Sequence, residues 1–388
     1  MADRGALEAA AAAGVISAEQ VGPLHAFLSS PDAGVSSKPS GEEDLRFIRN
    51  FHDLFLATGI VLLAFGLAIG VTAYVTTSGI QDPQTGAITT GALFAGCGAI
   101  MWLLGEFFAR RRRLFLPAIA IVCSFTLFSG MAVALLYAGA VVGQGFEESG
   151  LNMSRMPQEL RIGILVATVC AFVAPFVFYL RFRLPFSLGL AGFGLAVFII
   201  VAALVANFEL TQQFISPLLL GLGVLLFLAG VWFDARDPQR ATRFSDNGFW
   251  LHFAAAPLIL RGAFGLIGSI FGAPDGLSSS MAFNDGSATA HAALTLAVVA
   301  LLGVISLLIN RRVLIVSTLI TTGIALSILM DAVGLGAGAL AASVLIVLGA
   351  FVLILGASWH TARRALLGWV KPDGAWARVF PPETPAVA

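Results

Sequence analysis

Apolar residues run in long blocks along almost the whole chain, broken only by short polar turns. Ten blocks are long enough to cross a bilayer as helices: 53–76, 87–109, 114–141, 161–180, 184–206, 214–233, 249–271, 289–309, 313–330 and 338–358. The pattern predicts an all-α, polytopic integral membrane protein of about ten transmembrane helices. Residues 45–358 form the membrane domain on this reading, and 359–388 a cytoplasmic tail.

The first 44 residues follow another pattern. "ALEAAAAAG" is strong helix-forming sequence closed by Gly14, and "SAEQ" places Ser17 three residues before Gln20, the spacing of a capping box. A small helical hairpin over 1–30 is predicted, with Val15, Ile16, Val21, Leu24, Phe27 and Leu28 as its apolar patch. That patch is too small for an independent core, so the hairpin is expected to dock on the membrane domain or on a protein partner. Residues 31–44 read as a polar linker. "EEDLRFIRNFHDLF" then leads into the first span as an interfacial helix, with Leu45, Ile48, Phe51 or His52, and Phe55 at helical spacing.

Composition strengthens the membrane assignment. Of 388 residues, 58% are hydrophobic and 11% charged, with a mean hydropathy of +0.92. A soluble fold of this size would lack polar material for its surface. The 22 basic and 22 acidic residues cancel, which gives no support to a nucleic-acid partner; membrane lipids are the expected surroundings.

The placement of the basic residues sets an expected orientation. With the amino terminus in the cytoplasm, 19 of the 22 basic residues fall on the cytoplasmic side, including Arg110, Arg111, Arg112 and Arg113, Arg181 and Arg183, and Arg311 and Arg312. The positive-inside rule therefore predicts both termini to be cytoplasmic. Far-side connections such as "SGIQDPQTG" are short and read as solvated turns. The amino terminus lacks a basic region followed by a cleavable apolar core, so no signal peptide is read and the first span is expected to direct insertion.

Candidate chemistry is sparse. Cys97, Cys123 and Cys170 each lie in an apolar segment and behave as small hydrophobes. His25, His52, His291 and His360 are scattered, with no metal-ligand spacing, and no cofactor is implied. No zinc-protease, nucleophile-elbow or phosphate-loop signature is present, so an enzyme is not expected.

The exception is Arg261, inside the block 249–271. At about 1.5 Å per residue it is expected roughly 18 Å into its span. A central arginine costs about 2.5–3.5 kcal/mol on insertion scales, so it should face other helices, water or a carboxylate. Glu106 and Asp331 are candidate partners, although Glu106 is also placed to pair locally with Arg110 at i,i+4. Pro257 removes one helical hydrogen bond, and the carbonyl it frees on Phe253 is expected to line a polar pocket at a break in the helix. His252 either joins that pocket or anchors the interface beside Trp250.

Small-residue pairs at Gly66 and Gly70, Gly268 and Gly272, and Gly334 and Gly338 predict close helix approach, as do "GLAGFGL" and "GLGVLL". The best internal echo is between the basic turns of spans 2–3 and 8–9.

Three segments, "AAAGVISAEQV", "FWLHFAAAPLIL" and "RRALLGWVKPDGAWARVFPP", give the chain a resemblance to bacterial polytopic membrane proteins that carry a short helical amino-terminal domain ahead of many spans. The resemblance implies a polytopic fold and brings no activity, cofactor or site residue with it. With only Lys38 and Lys371 as lysines, a GC-rich bacterial origin and the inner membrane are the expected setting. The leading functional expectation is small-molecule transport or permeation, with Arg261 holding an anionic group. The alternative is a non-transporting scaffold or regulator that recruits a partner through its cytoplasmic termini, and a lipid-modifying enzyme comes third.

Overall fold

The computed structural model describes residues 4–29, 51–142, 158–237, 243–270, 288–311, 337–370 and 379–380. Every regular element among them is helical. The chain divides into two compact units, one holding the first two helices and the other holding the rest.

In the first unit, α1 (Arg4–Ala12) ends in a turn where Gly14 takes a left-handed φ of 74°. α2 (Ala18–Ser29) follows and packs back on α1. At its start the Ser17 N–H donates to Gln20 Oε1 at 2.9 Å, the backward half of a capping box. Val21 is the buried apolar side chain of this hairpin, and Val15 lies open at its tip.

The second unit begins with α3 (Phe51–Thr77), α4 (Pro83–Gly105, continued by a π turn over Glu106–Arg111) and α5 (Phe115–Tyr137, continued by a π turn over Ala138–Val142). It continues with α6 (Gln158–Phe182), α7 (Pro185–Ala206), the short α8 (Phe208–Gln213) and α9 (Ile215–Arg236). Last come α10 (Arg243–Ile270), α11 (Ala288–Ile309) and α12 (Ala337–Val370). Seven helices, α3 to α7, α9 and α10, are long and apolar enough to cross a membrane, which marks the chain as an integral membrane protein. In α11 the apolar stretch Leu296–Ile309 is shorter, and the predicted span 313–330 lies outside the described residues.

Large apolar side chains such as Leu62, Phe65 and Ile69 point outward from α3, as lipid-facing helices require. Met101, Ile121, Val122, Phe128 and Phe178 fill the core between α4, α5 and α6. Packing then passes from α6 to α7, from α7 to α10, from α10 to both α9 and α11, and from α11 to α12.

Local chemistry sets the helix ends. Asp82 caps α4 by accepting from the Thr85 N–H at 2.8 Å, ahead of Pro83 at the first helical position. Asn207 does the same for α8 through the Leu210 N–H at 2.9 Å. Two basic turns share one backbone design: Arg113 and Arg183 are left-handed (φ 53° and 51°), and each is followed by an extended leucine, Leu114 or Leu184, that opens the next helix. Asn310, after α11, is left-handed too, at φ 55°. The design is shared by the turns α4–α5 and α6–α7; the other half of the echo expected from sequence, the turn between spans 8 and 9, lies outside the described residues beyond Arg311.

Candidate functional site

α9 and α10 lie antiparallel along a seam of small residues. Ser216, Gly223 and Gly230 recur every seven positions on α9, and Gly248, Ala255 and Gly262 do so on α10. A Cβ at Gly223 would meet the Ile259 nitrogen at 2.7 Å, and one at Gly230 would meet His252 Cε1 at 2.8 Å. At Gly262 it would strike the backbone nitrogen of Leu220, and at Gly248 an oxygen of the Asp234 carboxylate. Backbones in such contact exclude water and leave no room for sliding. Between the seam's ends the lining is apolar, with Leu219, Leu258, Ile259 and Ala255 all buried.

Asp234 ends this stripe. It lies eighteen residues, five full turns, after Ser216, so a carboxylate takes the buried face of α9. Its Oδ1 accepts from Arg311 Nη2 at 2.5 Å and its Oδ2 from Arg311 Nε at 3.0 Å, the two-pronged fit of guanidinium to carboxylate. His252 Nε2 lies 3.1 Å from Oδ2 and donates there when it carries the proton. Arg311 Nη2 also donates to the carbonyl of Ser245 at 2.8 Å and to its Oγ at 2.9 Å. His252 is 0% exposed, Arg311 2% and Asp234 8%. Three helices thus contribute to one sealed charge cluster near the Arg236 end of α9: α9 gives the acid, α10 the imidazole and serine, and the end of α11 the base.

A second ring of contacts fixes Arg311. The Ser306 hydroxyl donates to the Arg311 carbonyl, and Trp359 Nε1 on α12 donates to Asn310 Oδ1 at 2.9 Å. Arg363, 1% exposed, donates from Nε to the Leu307 carbonyl at 3.1 Å, which ties the last turn of α11 to α12. Asn310 provides the left-handed residue that lets the chain turn at this point.

The residues singled out from sequence are dispersed. His252 belongs to the Asp234 cluster. Arg261 is half-buried, and its Nη1 shares with Ser216 Oγ the space beside Gly265. Ser216 is the second residue of α9, so Arg261 stands level with one end of that helix, not with its middle. α10 begins at Arg243, six residues before the expected start of the span at 249. Pro257 lies on the exposed face of α10, which runs through it without a break. Glu106 is held by Arg181 at 2.6 Å and by Arg110 at 3.1 Å, not by Arg261. Asp331 lies outside the described residues.

Asp234 and Arg311, the centre of the cluster, lie just beyond the expected spans 214–233 and 289–309, where the apolar pattern gives no sign that a charge is buried. The five-turn spacing from Ser216 to Asp234 is the signal that would have found the acid. Among the described residues no group of three metal-ligating side chains is present. Compared with known protein families, curated proteins and solved structures, the chain matches none.

Proposed function

We propose that the protein is a ten-span component of the bacterial inner membrane with both termini in the cytoplasm, and that it moves a small anionic solute across the bilayer. The observation that carries this reading is the sealed Asp234–His252–Arg311 cluster joining three helices. Buried ion pairs are poor stabilisers, because desolvation costs several kcal/mol per ion and apolar residues of similar size do as well. A buried pair that adds little stability is best accounted for as a switch. In this mechanism α9 and α10, their backbones in contact, move as one body, and the Asp234–Arg311 pair latches that body to α11 and α12. Releasing the latch separates the two groups of helices and opens one end of the passage. Arg261, at the other end of the same helix pair, attracts the anion.

The test is flux of chloride, bicarbonate, acetate and phosphate into vesicles containing wild type or Arg261→Leu. The proposal requires at least one anion to enter faster than into protein-free vesicles, and Arg261→Leu to slow it. Equal rates for all four would overturn it. A second reading, a non-transporting scaffold, is favoured by Val15, an apolar side chain 76% exposed at the tip of the α1–α2 hairpin. That reading gains if flux is absent and a partner is retained through the hairpin.

A further inference from the structure

The π turn that ends α4 shapes a second site, independent of the latch. Regular helix gives way over Glu106–Arg111, and the Arg112 N–H reaches back five residues to the Phe107 carbonyl at 3.1 Å. Such widened turns are rare and recur at functional sites. Here it borders an open pocket of about 730 Å³ lined by Leu103, Glu106, Phe107, Arg110 and Arg111. Its two sides differ in chemistry. Leu103 (67% exposed) and Phe107 (43%) form an apolar wall continuous with the lipid-facing side of α4. Arg110 and Arg111, about one turn beyond Phe107 and two beyond Leu103, form a cationic rim at the helix end.

The charge there is unbalanced. Arg110 to Arg113 come from this turn, and Arg181 and Arg183 from the end of α6 and the turn after it, yet Glu106 is the one acid in 101–117 and 178–190. That carboxylate is shared between Arg181 and Arg110, while Arg112 lies over the Phe107 ring at 5.6 Å from its centre. The geometry points to a binding site for one anionic phospholipid, its headgroup phosphate between Arg110 and Arg111 and an acyl chain along Leu103 and Phe107. A free phosphate would use the rim alone; the apolar wall selects the lipid. Each arginine near an anionic headgroup strengthens binding about fivefold.

The experiment titrates the full-length protein in neutral detergent with dioctanoyl phosphatidylglycerol, dioctanoyl phosphatidylcholine or inorganic phosphate, following thermal stability. Phosphatidylglycerol should raise the midpoint saturably, and the other two should not. Arg110→Gln/Arg111→Gln should weaken that binding by about 25-fold while leaving the lipid-free midpoint unchanged, because both side chains are exposed. Arg236→Gln, an arginine stacked instead on Trp232, should bind as wild type does. Glu106→Gln should tighten binding, since the carboxylate competes with phosphate for Arg110. Equal responses to phosphatidylcholine or to free phosphate would overturn the proposal. So would unchanged binding by the double variant, or weakened binding by Glu106→Gln.

Discussion

Gly248 faces Asp234 so closely that a Cβ there would strike the carboxylate oxygen that receives Arg311 Nη2. A glycine of α10 thus makes room for the acid at the seam's charged end. The carboxylate is boxed in by backbone on one side and by a guanidinium on the other, and it has no alternative position. Gly248→Ala should therefore cost about 1–3 kcal/mol by overpacking. Gly66→Ala, where a Cβ meets open space, should be neutral or mildly stabilising. Thermal unfolding of both variants in detergent separates the two cases.

Arg311→Leu leaves Asp234 buried without its guanidinium and should destabilise by about 3–5 kcal/mol. Asp234→Leu/Arg311→Leu removes both charges and should recover most of that loss. Comparing unfolding midpoints of the single and double variants gives the result. A double variant as unstable as the single one would mean that the pair itself holds the fold.

Pro257 projects from the exposed side of an unbroken α10. Pro257→Ala should leave flux unchanged and leave stability unchanged or raised, because it restores a helical N–H without disturbing any packed contact. Loss of flux in this variant would return the proline to the transport pathway.

Asp82 provides a pH dependence whose sign follows from its contacts. The side-chain and backbone hydrogen bonds from Thr85 hold its carboxyl below the ordinary carboxylate value. A group whose folded value is depressed contributes stability above its unfolded value and loses that contribution as pH falls through the folded one. Wild type should therefore lose stability more steeply than Asp82→Asn on acidification below the usual carboxylate range. Asparagine still caps the helix but does not titrate. Midpoints measured against pH for the two proteins provide the check.

The membrane helices were legible because a lipid-facing helix needs only length and apolarity, and α3 to α7, α9 and α10 have both. Helix contacts were harder to read. "GLAGFGL" does pack closely: a Cβ at Gly189 would meet the Trp250 carbonyl at 2.6 Å, and one at Gly194 would strike that of Ala171. Gly66 and Gly70, four residues apart, meet nothing within 4 Å. Spacing shows that close approach is sterically allowed, but the partner decides whether it occurs. The charge cluster was hidden for a related reason. Arginine beside a turn satisfies the topology rule whether it is solvated or buried, so Arg311 was indistinguishable from Arg312 until Asp234 was placed beside it. Arg261 stood out instead, because an isolated charge in an apolar run is conspicuous even when it lies near a helix end.

The latch is tested most directly by removing it without unfolding the protein. Vesicles containing Asp234→Leu/Arg311→Leu, with an unfolding midpoint near that of wild type, are compared with wild-type vesicles for entry of the anion that wild type carries. The account predicts faster, ungated entry in the double variant, because the ionic tie between α11 and the α9–α10 pair is then gone. Entry at the wild-type rate would contradict it and leave the buried cluster a structural staple.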